Sequence, residues 1–413
     1  MLCAMATNGL EPIARPLAWT RGRALALPVA RAVVVSRLLV WAAGLLGVAV
    51  AGVSSRAADF DPARMLSPYG EPLDTLIAPG ARWDAVWYLT VAHSGYGADA
   101  ARPAFFPLYP LLLRALGSDI VAGIGLSLVC FTVASLLLYR LTALELGTAA
   151  AGPAVMSLAL FPGSLYFSMV YSEALFLALS VGAVYAARTE RWAWAGALGA
   201  LAAATRSAGI VLLVPLLALW WAHSRRARDG AWLALVPAGV AAFCGALALA
   251  GHDALAPFHA QAQWYRSFAW PFAGVWDGTV AAWDGARQLL SGSRMPSYFA
   301  PAGGDPYTVA THNLSLFAFM VPAVPAVAGI ARRLPPAYVA YVVAALALPL
   351  SWPVAPQPLM SLPRFEAVLF PAFMWLGAWI ARGGRARGWA VYGVFAGGLA
   401  AFSAFVSTWH WVA

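Results

Sequence analysis

Lysine is missing from this 413-residue chain: all 26 basic residues are arginine. With its many alanines, glycines and prolines, the chain carries a GC-rich, bacterial-type coding bias, which says nothing about chemistry. Charge of either sign is sparse, with 10% of residues charged and 62% hydrophobic. Mean hydropathy is +0.73. These values exclude a disordered chain and an ordinary soluble domain, and they point to the membrane class. A net charge of +9 would suggest nucleic acid in a soluble protein. Here it reads as the arginine surplus of cytoplasmic loops, and no nucleic-acid partner is expected. Cysteine is scarce, and Cys3, Cys130 and Cys244 form no CxxC, which argues against a structural disulfide or a thiolate metal site. The histidines make no HxxxH or HxxE pair, and Asp59/Asp61 and Glu71/Asp74 match no calcium loop. Neither a metal nor a cofactor is expected. Without GxxxxGK there is no cradle for a nucleoside triphosphate, and without GxSxG no serine nucleophile on a turn.

What the chain does have is apolar runs. A membrane helix needs about 20 mostly apolar residues. Runs of that kind, some short, fall near 33–53, 120–139, 149–167, 173–187, 192–204, 207–222, 231–250, 309–330, 337–352, 365–381 and 389–409. The expected fold is therefore an all-α polytopic membrane protein of about 11 transmembrane helices, one domain over 1–413. The first run is too long for the apolar core of a signal peptide and is read as an uncleaved anchor. If segment 1–32 is cytoplasmic, the alternation of spans gathers Arg140, Arg188, Arg191, Arg225, Arg226, Arg228, Arg332, Arg333, Arg382, Arg385 and Arg387 on that side. Most carboxylates fall on the other face. Two long outer loops, 54–119 and 251–308, are rich in Trp, Tyr, Pro, Asp and His. The chemistry is expected there, on the extracytoplasmic side of a plasma membrane, with membrane lipids around the bundle.

The first outer loop carries the densest polar and aromatic cluster. It reads Arg82-Trp83-Asp84-Ala85, then Tyr88, His93, Gly95-Tyr96 and Phe105-Phe106-Pro107-Leu108-Tyr109-Pro110. A hydroxyl is a poor nucleophile unless a fixed base takes its proton as it attacks, and Asp84 is the candidate base. Desolvation and a neighbouring cation pull a carboxylate's basicity in opposite directions, and Arg82 stands two positions away. The plain alternative is an ion pair or a helix cap at the membrane surface. The segment 105–114 is Pro-broken and too short to span, so it is read as an interfacial helix that lines a lipid entrance, or else as part of an aromatic belt.

Further elements follow in order: Ser168…Tyr171-Ser172-Glu173, Thr205-Arg206-Ser207-Ala208-Gly209, His259-Ala260-Gln261…Trp264 and Leu362-Pro363-Arg364-Phe365. Together with the Arg82–Pro110 stretch they resemble the PIG-V-type mannosyltransferases, the family of the second mannosyltransferase of glycosylphosphatidylinositol-anchor synthesis. The resemblance implies a GT-C-type bundle and a polyprenyl-phosphate sugar as donor in place of a nucleotide sugar. It implies transfer with inversion and Asp84 as the loop carboxylate that serves as base. The family's acceptor is a glycosylated phosphatidylinositol; in a bacterial chain a different lipid, glycan or protein acceptor is expected.

A departing lipid phosphate gathers negative charge, and arginine's planar fork suits it. Arg206 and Arg364, at outer span ends, are the first candidates to hold it, followed by Arg266 and His259. Snorkelling to headgroups is the competing reading for any one of them. Glu173 opens a span, where a carboxylate also favours the helix dipole. Arg82, Trp83, Trp87, Tyr88, His93, Tyr109, Glu173 and Trp264 complete the expected substrate contacts. The runner-up function is a transporter or flippase for a lipid-linked sugar. It fits less well, because polar residues gather in the outer loops and not at mid-membrane. A structural membrane scaffold is the third reading.

Overall fold

A computed structural model gives the structure of residues 22–295 and 305–412. Most of the expected cytoplasmic segment 1–32, and residues 296–304 of the second outer loop, lie outside the described residues. Among the described residues the chain is helical and has no β-strand; isolated bridges join Val354 to Arg266 and to Gln357.

Five helices are long and apolar enough to cross a membrane: Leu25–Ala51, Ile120–Leu146, Ala227–Leu249, Pro306–Ala331 and Phe370–Ser407. A sixth is added if Thr148–Leu160 and Pro162–Ser168, which meet at 81°, form one broken span. Shorter apolar helices include Trp192–Thr205, Ser207–His223 and Pro336–Leu350. The surface is apolar where a soluble protein's would not be: Leu46, Val50, Val129, Val324 and Val394 are all exposed. Such a surface is stable against lipid tails and costly against water. The chain is a multi-pass membrane protein.

The last of the long helices is a hairpin. Gly384 breaks it with φ 77° and ψ −179°, a left-handed conformation that glycine adopts without a Cβ penalty. Phe373 and Phe395 both pack on Phe161, with ring centroids 5.3 and 5.4 Å away. In an unbroken helix 22 residues span about 33 Å, so the two halves must double back. The runs 365–381 and 389–409 correspond to its two arms.

Helix Glu173–Arg188 is buried almost all round, against Ile120–Leu146 on one side and Trp192–Thr205 on the other. It therefore fixes the two ends of the bundle. At its Arg188 end, that arginine pairs with Glu145, whose Oε1 also accepts from the Tyr338 hydroxyl at 2.8 Å. Arg188 is hydrogen-bonded to His223 at 2.8 Å as well. At its other end sits Glu173, beside the loops that carry Asp84 and Arg364.

The elbow before Glu173 is held by a charge in the first long helix. Arg37 donates to Ser164 O (2.7 Å), Ser168 Oγ (2.9 Å), Ser164 Oγ (2.9 Å) and Ala159 O (3.1 Å). Pro162 ends the preceding helix, and the Ala159 carbonyl near that end accepts from Arg37 and from the Ser164 hydroxyl at 2.6 Å. Gly163 lets this elbow touch the segment just before Arg364: a Cβ there would lie 2.2 Å from the Pro363 carbonyl oxygen.

Candidate active site

Asp84 stands at the N-cap position of helix Ala85–Ser94. Its side chain accepts no capping hydrogen bond from that helix and is free to face elsewhere. Trp83 before it is left-handed, φ 54°, a conformation that costs a bulky side chain about 1–3 kcal/mol. A cage of Phe60, Trp409 and Trp411, at centroid distances of 5.1, 5.4 and 5.2 Å, holds it there. The Asp84 amide donates to the Tyr171 hydroxyl at 3.0 Å, and that hydroxyl donates to Arg82 O at 3.2 Å. The backbone of the acid is thus clamped from the Tyr171-Ser172-Glu173 turn.

The carboxylate itself meets Arg364, whose Nη1 donates to Asp84 Oδ2 at 2.6 Å. Arg364 Nε donates to Glu173 Oε1, and Arg206 Nη1 donates to the same oxygen. Glu173 is wholly buried, and its Oε2 has no hydrogen-bond partner among the described residues. Arg364 lies over the Tyr171 and Tyr166 rings, 4.7 and 5.5 Å from their centroids. Burial alone would lower its basicity; Glu173 and Asp84 overcome that and hold the guanidinium well above its ordinary value. Burial pushes the Tyr171 hydroxyl upward, and Asp84 adds to the effect, so it remains a neutral hydroxyl.

Arg266 completes the basic wall. It donates to Trp352 O and Met360 O, both at 3.1 Å, and lies over Phe365. Burial, with the like charges of Arg364 and Arg206 adding to it, lowers its basicity to about 10. Three arginines against two carboxylates leave a net charge of +1 (3 − 2) in a largely buried cluster. Such a site attracts an anion. Beside it stands an aromatic wall: Trp87 stacks on Phe105 at 5.8 Å, and Trp264 meets both edge-on at 5.7 and 5.9 Å. The Trp87 indole N–H is buried without a partner among the described residues. Both long loops therefore meet beside the ionic cluster.

Of the residues singled out in the sequence, the structure brings together Asp84, Glu173, Arg206, Arg364 and Arg266, with Trp87, Tyr88 and Trp264 beside them. Tyr88 bonds Ser172 at 2.7 Å and packs on Tyr171. Tyr109 is fully buried, bonding Ser127 at 3.0 Å, and supports Tyr88 from behind. Others fall elsewhere. Arg82, buried, donates to Ser407 O (3.1 Å) and Ala81 O (2.8 Å) and lies over Trp409; it anchors the C-terminal segment. Trp83 belongs to that same aromatic cage. His93 is exposed at the end of its helix. His259 is exposed and pairs with Asp253 at 2.6 Å. Asp61 and Asp74 hold turns by accepting backbone amides from Met65 and Leu66, and from Tyr69 and Gly70. Arg37, Tyr171 and Glu366 were not among the expected site residues. Arg37 had a signal, since a charge in mid-span is costly and needs a reason. Glu366 lies two residues after Arg364, with Oε1 buried and unpartnered among the described residues.

Residues 28–219 match the family model of the mannosyltransferases of PIG-V type. The chain's resemblance is to the PIG-V mannosyltransferases. The matched stretch contains Asp84, Glu173 and Arg206; Arg266 and Arg364 reach the cleft from beyond it. A related protein, the GPI alpha-1,6-mannosyltransferase 2 of Cricetulus griseus, is 34% identical over 170 residues, 37% of this chain. The chain spans 34% of that relative's length. No solved structure matches the chain.

Proposed function

We propose that this protein is a membrane mannosyltransferase that moves mannose from a polyprenyl-phosphate sugar to an acceptor hydroxyl, with Asp84 as the base. The observation that carries this reading is the ionic chain Asp84–Arg364–Glu173–Arg206, assembled from four distant segments. The donor phosphate is read as lying against Arg206, Arg364 and Arg266. The acceptor oxygen attacks the anomeric carbon while the bond from that carbon to the phosphate oxygen breaks. The departing electron pair stays on the phosphate, where the arginines stabilise it, and the acceptor's proton passes to Asp84. Attack opposite the leaving group inverts the anomeric centre.

The pairing of Arg364 with Asp84 gives this scheme an order. A phosphate at Arg364 competes for the guanidinium and draws positive charge away from Asp84. Asp84 is then released from its ion pair when the donor is in place. Asp84 Oδ1 accepts no hydrogen bond among the described residues, so one oxygen is open to an incoming alcohol even in the paired state. The aromatic wall of Trp87, Phe105 and Trp264 suits a sugar face or the first isoprene units.

The arginine-rich end of the bundle is read as cytoplasmic and the Asp84 cleft as extracytoplasmic, with eleven crossing segments once the short helices and both arms of the Gly384 hairpin are included. A bacterial plasma membrane, and a lipid, glycan or protein acceptor, complete the reading. The test is transfer by the reconstituted protein from polyprenyl-phosphate-mannose and, in parallel, from GDP-mannose. Mannosylated product from the lipid donor alone is expected. Transfer from the nucleotide sugar alone would overturn the donor assignment.

A further inference from the structure

At the far end of the bundle from Asp84, helices Pro306–Ala331 and Phe370–Ser407 enclose a cavity of about 460 Å³. Its lining includes Arg332, Arg333, Arg382, Trp375 and Trp379. We propose that this cavity binds the phosphate headgroup of an anionic membrane phospholipid.

Charge is the first argument. Three guanidiniums share one concave wall, and none forms an ion pair with a carboxylate among the described residues. The charges that act on Arg382 are those of Arg333 and Arg387, all of one sign. Arg188, at the same end, contrasts with them because Glu145 neutralises it. Like charges held in one pocket at a membrane rim repel until an anion joins them. Arginine's fork suits phosphate oxygens in particular.

The second argument is the wall itself. Pro325 and Ala328 form its apolar side, and the same helix face continues at Val321 and Val324, both exposed to lipid. The cavity therefore opens onto the track an acyl chain would follow. Two indoles, Trp375 and Trp379, frame it, and tryptophan is a side chain that favours the headgroup boundary. The frame is rigid. Trp375 lies across the bare backbone of Gly329, where a Cβ would come within 2.0 Å of its indole nitrogen. Arg387 folds back past the Gly384 break, stacks 4.2 Å from the Trp379 ring and donates to Trp379 O at 2.9 Å. A free phosphate would satisfy the arginines but would leave this apolar track empty, which is why the occupant is assigned as a lipid.

Native mass spectrometry of the full-length detergent-solubilised protein, titrated with phosphatidylglycerol, phosphatidylcholine or inorganic phosphate, tests the assignment. One phosphatidylglycerol should be retained per chain, with phosphatidylcholine and inorganic phosphate held at least about tenfold more weakly. The triple variant Arg332→Gln/Arg333→Gln/Arg382→Gln should lose that lipid by about tenfold or more. A matched triple, Arg225→Gln/Arg226→Gln/Arg228→Gln, removes the same charge outside the cavity and should keep it. Ala328→Trp fills the cavity without touching charge and should lose it, which preserves the test if the arginine triple fails to fold. Equal losses in the two triples, retention in Ala328→Trp, or equal binding of phosphatidylcholine would overturn the proposal.

Discussion

Arg364 Nη1 donates to Asp84 Oδ2 across 280 residues of chain, at 2.6 Å. The same guanidinium donates through Nε to the buried Glu173. One side chain thus sets the distance between the two carboxylates, and its planar fork is what allows the two bonds to diverge. Arg364→Lys keeps the charge and loses the fork, so it should lose nearly as much transferase activity as Arg364→Gln, about 10²–10³-fold in kcat. A sugar-transfer assay on the two variants side by side checks this; full activity in the lysine variant would show that charge alone suffices.

Glu173 is the shared anion of Arg206 and Arg364 and has no exposure. Removing it leaves two guanidiniums facing each other in a dry site. Glu173→Gln should cost about 3–5 kcal/mol of stability. Thermal unfolding in detergent measures the loss. The double variant Glu173→Gln/Arg206→Gln should be less destabilised than the sum of its parts, because the second change removes the charge the first one stranded.

Gly163 touches the Pro363 carbonyl so closely that no side chain fits between them. Gly163→Ala should push the Leu362–Ala367 turn outward and carry Arg364 with it. Activity should fall about 10²-fold, the usual cost of a displacement near 1 Å at a reacting centre. Expression and helix content by circular dichroism should stay close to wild type.

Arg37 supplies four hydrogen bonds to the elbow at Ala159–Ser168. Arg37→Met, close in length and apolar, removes all four donated bonds from a buried elbow and should destabilise the protein by about 2–5 kcal/mol. Its unfolding temperature should fall well below that of Arg31→Met, whose charge lies on the same helix.

Much of the cleft was legible in the sequence because its residues are chemically out of place in an apolar chain. Glu173, Arg206 and Arg364 stand at the ends of runs and Asp84 stands in the first long outer loop, and the alternation of the runs put all four on one side. The pairing was not legible. Arg82 is two residues from Asp84, yet helix Ala85–Ser94 begins between Asp84 and the rest of the loop, and the left-handed Trp83 turns Arg82 back toward Ser407. The true partner lies 280 positions away, where only packing can bring it. His259 looked similar in composition to a phosphate ligand, but its short helix leaves it on the surface with Asp253. The short apolar helices were legible: Trp192–Thr205, Ser207–His223 and Pro336–Leu350 lie within two residues of the runs at 192–204, 207–222 and 337–352. What hydropathy does not register is that Ser207–His223 begins in a 3₁₀ turn.

Asp84→Asn is nearly isosteric, keeps the Tyr171 bond to the backbone amide, and retains a carbonyl oxygen able to accept from Arg364. It removes the ability to take a proton together with the negative charge that faces Arg364, whose other carboxylate partner, Glu173, stays in place. Single-turnover transfer from polyprenyl-phosphate-mannose, measured for this variant in lipid nanodiscs with donor binding followed in parallel, is the most direct check. A fall in the chemical step of about 10²–10⁴-fold with donor affinity within a few-fold of wild type is expected. Transfer at the wild-type rate would contradict the assignment of this carboxylate as the base.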